Sequence, residues 1–237
     1  MWETDEVKAY GQELERLYDD WDGIKEVTSL PDFAVHRPVD KIVLRMHLED
    51  PKAVKTAIVC PPCIHGPGRG PDSQRSAQAY EAAKVILKGK RAILPLEAKN
   101  IWHEVNVQDL SSLYVLLVNA AAARNEKATW NENGYYFAEN GSFTWKQVFQ
   151  GLASIAKKKG FIDSDQPVKL NEEQLAEVHP YGRFMWTGNS RAKAIRARKL
   201  LGWQPHGKKL LEELPEIVEG EAKILGLIEG HAAKVMK

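Results

Sequence analysis

The sequence has little cysteine, with only Cys60 and Cys63 among 237 residues. Two thiols cannot staple a small scaffold, so burial must hold the fold, and a reducing interior suits them. Net charge is also scarce, with 33 Lys and Arg against 32 Asp and Glu. A chain that coats nucleic acid carries a clear basic excess, so nucleic acid is not an expected partner. No apolar run approaches the roughly 20 residues that cross a bilayer, and no membrane partner is expected. The opening residues, Met1-Trp2-Glu3-Thr4-Asp5-Glu6, are too charged to read as a secretory or transit signal. The expected location is the cytoplasm. Neither an internal repeat nor a low-complexity stretch stands out. What the sequence does have is 43% hydrophobic and 27% charged residues, the composition of a globular chain long enough for one sizeable domain.

Strands and helices alternate through the first two thirds. A helix is expected over about 5–18, and a second over about 38–48, where Val39, Ile42, Val43 and Met46 share a face behind Pro38. The β-branched run Val54 to Cys60 reads as a buried strand stopped by Pro61-Pro62, and His65 to Pro71 as loop. A helix over about 73–88 turns Ala79, Ala82, Ala83 and Ile86 to a core. Short strands are expected at Arg91–Leu94, Val105–Val107 and Tyr135–Ala138, with Asp109 capping a helix to about 122. Thr144-Trp145-Lys146-Gln147 is a capping box whose helix ends at Gly160. Helices over about 171–178, 189–201, 208–219 and 221–235 complete the chain. Alternation of this kind gives an α/β class with parallel strands.

Charge is uneven along the chain. Residues 1–22 carry eight acids against Lys8 and Arg16, while residues 191–209 carry seven basic side chains and no acid. Either the two stretches attract each other or each is a solvated face. Cys60-Pro61-Pro62-Cys63 has C-x-x-C spacing, but it ends a strand rather than opening a helix, and no second cysteine pair exists to complete a zinc site. Neither redox nor metal chemistry is expected of it.

Three segments in order resemble the extended short-chain dehydrogenase/reductases, the NAD-dependent epimerase/dehydratases. Thr56 to Gly68 is similar to the late sheet strand and its "RPxxVYGPG" turn. Trp102 to Leu110 is similar to the "xxxVhVxDva" segment that opens a helix. Asn189 to Lys193 through Leu201-Gly202-Trp203-Gln204-Pro205 is similar to the terminal "sskaxxxLGWxP". The run His36 to Leu44 further resembles a fungal branch of the family. The resemblance implies a truncated Rossmann-type parallel sheet with a mainly helical substrate-binding lobe. Residues of about 1–60 and 100–125 would belong to the sheet, and about 61–99 and 126–237 to the lobe. The implied function is an NAD(P)-dependent oxidoreductase of the epimerase/dehydratase type, acting on a small organic substrate.

Residue by residue, the resemblance sets Pro61, Pro62 and Cys63 against the nicotinamide. It turns His65, Arg69, Gln74, Trp102, His103, Asn189 and Arg191 toward the substrate. Two departures qualify this. No glycine-rich turn follows an early strand to cradle a pyrophosphate. The catalytic tyrosine four residues before Lys41 is replaced by Arg37, which cannot exchange a proton near neutrality, so His36 is the candidate base beside Lys41. Two rivals therefore stand: a cofactor-free isomerase, dehydratase or cyclase using His36, His65 or His103, and a non-catalytic binding or regulatory remnant. A sheet reduced to its late strands leaves edges uncovered, so the acidic N-terminal helix is expected to pack over them, or the chain to form a homo-oligomer.

Overall fold

The computed structural model describes residues 9–50, 53–72, 74–123 and 127–228. The chain is α/β, with short strands threaded between helices. In order these are β1 (Tyr18–Asp19), α1 (Ile24–Thr28), α2 (Arg37–Arg45), β2 (Ile58–Cys60), β3 (Cys63–His65), α3 (Gln78–Gly89), β4 (Ile93–Pro95) and β5 (Ile101–Asn106). There follow α4 (Val107–Ala122), β6 (Tyr135–Phe137), β7 (Ser142–Thr144), α5 (Trp145–Lys158), β8 (Val168–Leu170), α6 (Glu172–Val178), α7 (Gly182–Trp186), β9 (Ala192–Lys193), α8 (Ile195–Leu201) and α9 (Leu210–Ile224). Four pairings are parallel: β1 with β9, β2 with β6, β3 with β5, and β4 with β8. Among the described residues only β7 runs antiparallel, against the first half of β5.

β5 is the hub of this arrangement. Its first half pairs with β7, its second half with β3, and Trp102 bridges to Ser190 on the chain leading to β9. The two faces of such a strand look opposite ways, and two packing groups lie about it. One is built by α3, α5 and α9 and holds Ala82, Ala83, Ile86, Val148, Phe149, Leu152, Leu214, Ile217 and Val218. Aromatic edges run through it from Phe143 to Trp145, Phe149 and Trp186. The other packs Leu110, Leu113 and Leu117 of α4 on Val105, on Tyr135–Ala138 and on Trp203. Thr144 and Gln147 form the expected reciprocal cap of α5, which satisfies two backbone donors at once.

Several expectations are corrected. Residues 5–8 of the expected first helix lie outside the described residues, and 9–17 form a turn and extended chain rather than a helix. The cap of α4 is Asn106, whose side chain accepts from the Gln108 amide at 2.9 Å; Asp109 lies inside the helix. Gly220 does not separate two helices, because α9 runs through it from Leu210 to Ile224; residues 229–235 lie outside the described residues. The expected helix from 189 begins only at Ile195, and the short α7 was not anticipated. Above all, α2 forms where expected but faces the wrong way. It has no buried residue, and Val39 and Ile42 are 58% and 63% exposed.

The acidic and basic stretches do meet. Asp20 is fully buried, and its carboxylate accepts from the Ile195 and Arg196 amides at 2.9 Å and the Phe137 amide at 2.8 Å. Arg196 Nε donates back to the Asp20 carbonyl at 2.8 Å, and an Arg191 Nη donates to the Leu14 carbonyl. Arg196 and Arg198 are therefore not a solvated face: one is buried, and the other bonds Glu139 at 2.7 Å. Burial raises the Asp20 pKa against the opposing pull of these amides. Replacing Asp20 with Ala strands three buried donors, and the expected loss is about 2–4 kcal/mol in a urea unfolding measurement. A loss below about 0.5 kcal/mol contradicts this role.

Candidate functional site

The turn between β2 and β3 is where the sequence concentrates its unusual residues. Pro61 and Pro62 cannot donate to a ladder, so one pairing ends at Cys60 and another begins at Cys63. Beyond the end of β2, a crevice of about 10 Å³ lies between Cys60, Pro61 and Pro62 on one side and Glu139, Ser190 and Ala192 on the other. That is room for about one water. The Glu139 carboxylate is the charged group at its edge, held by Arg198 and by the Ala194 amide at 3.3 Å. Burial pushes both thiols up, Cys63 in a fully enclosed place and with Glu104 adding to the effect, so neither is a thiolate near neutral pH.

His103 and Asn189 stand close to this crevice. His103 Nδ1 donates to the Ala192 carbonyl at 2.6 Å, and burial lowers its pKa against the smaller opposing pull of that bond. Asn189 ties the strand to the N-terminal segment, accepting from the Ile101 amide and donating to the Gln12 carbonyl, both at 2.9 Å. Trp102 is buried, with its indole N–H on the Gly188 carbonyl at 2.7 Å, and packs edge-on to Trp145. It is a core anchor rather than an open wall. Arg191 is committed to Leu14 as described above.

His65 lies elsewhere than expected. It is 1% exposed and closed between two carboxylates, with Nδ1 2.9 Å from Glu213 Oε2 on α9 and Nε2 3.3 Å from Glu104 Oε2 on β5. Glu213 also accepts from Asn106 Nδ2 at 2.9 Å, and Glu104 from the Leu210 amide at 2.5 Å. The imidazole is enclosed by these partners and fastens α9 to the central strands. The alternation along β5 explains the separation of His103 from Glu104, because neighbours point to opposite faces. The same network continues at Asp109, which accepts from the His206 and Gly207 amides at 2.9 and 2.8 Å. A Cβ at Gly207 would lie 2.4 Å from the Asn106 side chain, so only glycine permits this approach.

The remaining expected residues are not gathered here. Arg69 and Gln74 are exposed on the loop before α3, which starts at Gln78, later than expected. His36 is exposed at the start of α2 in the left-handed conformation, with φ 67°, and makes no side-chain cap. Lys41 is bonded to both oxygens of Asp32 at 2.9 and 3.0 Å. Neither residue lines the crevice. The partnerships of Glu104, Glu213, Asn106 and Asp20 escape the sequence reading, which expects Asp109 only as a helix cap. Their one local signal is the polar Asn106 and Asp109 around an otherwise apolar strand and helix.

Burial alone would lower the His65 pKa, but the hydrogen bonds and charges of Glu104 and Glu213 outweigh it and raise the value. A raised folded-state pKa means the clamp contributes fully below about pH 6.5 and is lost as pH climbs through the folded value. Urea midpoints measured from pH 6 to 9 are expected to fall for the natural chain. In His65→Gln the curve should start lower and run flatter. An equal slope in both would contradict the charged clamp.

No protein-family model matches the sequence. A curated relative, the oxidase ucsJ of Acremonium sp., is 30% identical over 227 residues, which cover 93% of this chain and 65% of the relative. Among solved structures, UDP-glucose 4-epimerase of Thermotoga maritima, determined with UDP-glucose, superposes with a TM-score of 0.57 at 17% identity over 92% of this chain and 61% of that one. A dTDP-glucose 4,6-dehydratase from Bacillus anthracis, in complex with NAD, gives 0.53 at 13% identity over 79% and 50%. A UDP-N-acetylglucosamine 4-epimerase from Methanobrevibacter ruminantium gives 0.52 at 17% over 84% and 56%. The chain thus spans about two thirds or less of the length of the proteins it matches, and across that span it has the Rossmann-like fold of the NAD-dependent epimerase/dehydratase enzymes.

Proposed function

We propose that this chain carries the late sheet strands and substrate lobe of an NAD(P)-dependent oxidoreductase of the epimerase/dehydratase type, acting on a small organic substrate. Convergence carries the reading. Three sequence segments separated by up to about 130 residues of chain, 56–68, 102–110 and 189–205, meet about β5, with Pro61, Pro62 and Ser190 on one crevice. A relative that is an oxidase and neighbours that bind NAD support redox chemistry. In this reading the packing group of α3, α5 and α9 is the substrate lobe, while β6 and α8, expected in the lobe from the sequence, pack with α4 and belong with the nucleotide-binding sheet.

The crevice, at about 10 Å³, is smaller than a nicotinamide ring, and the reading rests on the chemistry of its rim. Pro61 and Pro62 give an apolar rim, while the Ser190 hydroxyl and Glu139 carboxylate give polar partners suited to a flat, amide-bearing ring. NAD(P), when bound, would supply hydride transfer. Asn189 and Arg191 hold the rim in register through Ile101 and Leu14, and His103, kept neutral by burial, is the candidate to take or give a proton. Nothing described offers the glycine-rich backbone cradle that a pyrophosphate needs. The crevice must also widen beyond a single water's volume to admit a ring.

Titration with NADH, NADPH and the half-molecule reduced nicotinamide mononucleotide tests this. Saturable binding on the order of 100 µM, about 5 kcal/mol, is expected, with the half-molecule nearly as good as the whole. Pro61→Trp, which fills the crevice, is expected to abolish it. The absence of saturation at millimolar nucleotide would overturn the reading. It would favour the cofactor-free alternative, for which one observation speaks: Arg37 stands where the acid–base tyrosine belongs, and His103 is the expected histidine beside the crevice. In that event turnover lost in His103→Ala would identify the base.

The reading includes self-association. Val39 and Ile42 lie symmetrically about the middle of α2, with Val35 and Met46 outside them, all exposed. Two antiparallel copies of the helix can therefore match apolar side chain to apolar side chain. Light scattering is expected to give a dimer for the natural chain and a monomer for Ile42→Glu. A natural chain that stays monomeric at 100 µM or so, well above a micromolar dissociation constant, would remove this surface.

A further inference from the structure

The chain from Gly188 to Ala192 forms one bank of the Pro61–Ser190 crevice and is held along both edges. On its outer edge lies the N-terminal segment. The Gly11 amide donates to the Thr187 carbonyl at 2.7 Å, Asn189 and Arg191 donate to Gln12 and Leu14, and Tyr18 pairs with Ala192. On its inner edge lies β5. The Ser190 amide donates to the Ile101 carbonyl at 3.0 Å, the His103 amide to the Ser190 carbonyl at 2.8 Å, and His103 Nδ1 to the Ala192 carbonyl. Backbone ladders carry no information about register, and a slip by one residue would turn Ser190 away from the crevice. Asn189 and Arg191 secure the middle of the bank; its beginning is fixed by a residue the sequence did not single out, Asn100.

Asn100 is fully buried just before β5. Its Nδ2 donates to the Trp186 carbonyl at 3.1 Å and to the Gly188 carbonyl at 2.6 Å, which bracket the turn from α7 into the bank. The Trp102 indole reads the same Gly188 carbonyl. The amide is not placed for its own benefit, because its Oδ1 is shielded from water and has no hydrogen-bond partner. A buried acceptor left unpaired is costly, and an apolar side chain would avoid the cost. The backbone leading to it is strained as well. Leu96 and Ala98 have φ of 52° and 49°, the left-handed region that residues with a Cβ enter at a penalty. The Lys146 amide on the Ala98 carbonyl at 2.8 Å and the Trp145 amide on the Asn100 carbonyl at 3.3 Å hold this turn in shape. Strain and an unpaired acceptor together mark a place where geometry is kept at the expense of stability.

We propose that Asn100 is a positioning residue of the candidate site: by holding the Trp186 and Gly188 carbonyls it sets the register of residues 188–192 against β5, and through that register it places Ser190 on the crevice and the His103 imidazole behind it. Asn100 itself lines no part of the crevice and touches nothing bound there. Its effect on binding rests on the oxidoreductase reading, whereas its effect on the register does not.

Amide exchange at Ser190 and His103, an NMR titration of the His103 imidazole, and binding of reduced nicotinamide mononucleotide test this together. In Asn100→Ala both amides are expected to exchange about tenfold faster or more. Burial holds the His103 pKa down, with the Ala192 carbonyl and Glu139 opposing and Arg191 adding to the fall. Loosening the bank relieves that burial, so the value should climb toward the ordinary figure of about 6.5. Affinity for the mononucleotide should weaken about threefold, some 0.65 kcal/mol. Trp102→Phe, which loses only the indole N–H on Gly188, is expected to move the exchange and the titration the same way by less, and it stands in if Asn100→Ala does not fold. Leu152→Ala, in the core of α5, should lower the melting temperature and leave all three readouts alone. A folded Asn100→Ala with natural exchange and natural titration overturns the proposal. So does an unmoved Trp102→Phe where Asn100→Ala fails to fold, or a Leu152→Ala that shifts the readouts as far. If the natural chain binds no mononucleotide, the oxidoreductase reading falls, and exchange and titration still decide the role of Asn100.

Discussion

A buried histidine between two buried glutamates holds the centre of this molecule together. His65 ends β3, Glu104 lies on β5 and Glu213 on α9, so one imidazole joins three elements far apart in sequence. Two carboxylates this deep are tolerable only if charge and hydrogen bonds return what desolvation takes away. Here each has further donors: Asn106 on Glu213, and the Leu210 amide on Glu104. A second pair follows two turns along α9, where buried Glu221 meets the Nε and Nη2 of Arg75. Helix α9 is thus stitched at two points to the segment between β3 and α3, and its apolar face closes the packing group over α3 and α5.

The histidine cluster and the Pro61–Pro62 crevice occupy separate places in the fold. The motif histidine is spent on structure, and so is Trp102, whose indole serves the Gly188 carbonyl. The crevice at the Pro61–Pro62 turn is bordered by Glu139 and the buried Ser190, with His103 bonded to the Ala192 carbonyl behind it. The chain spans about 61% of the epimerase of Thermotoga maritima and 65% of the Acremonium oxidase. Helix α2 turns Arg37 and Lys41 inward and its aliphatic side chains Val39 and Ile42 outward.

Local signals were legible in the sequence, and long-range ones were not. The capping box at Thr144, the alanine face of α3 and the strand before Pro61 each announce themselves within a few residues, because their chemistry is complete over one turn. The resemblance of three segments likewise carried the fold class. The periodicity of α2 marks a shared face, yet periodicity does not say which side of the helix meets the protein. Asp20 looked like one acid in a charged stretch, and nothing nearby reveals that its partners are the amides of Phe137, Ile195 and Arg196. His65 sat in a turn motif that suggested a ligand, whereas its fate was decided by Glu104 and by Glu213, 148 residues away. Gly207 could be read as a loop residue, but its purpose, contact with Asn106 and Asp109, lies in the tertiary structure.

Hydrogen exchange along α9 tests the central claim most directly. If the His65–Glu104–Glu213 cluster fastens this helix, His65→Gln should speed exchange of the α9 amides at least tenfold, about 1.4 kcal/mol of opening free energy, and leave α4 as protected as before. Unchanged protection of α9 in a folded His65→Gln chain would show that apolar packing alone holds the helix, and the account built on the buried cluster would be wrong.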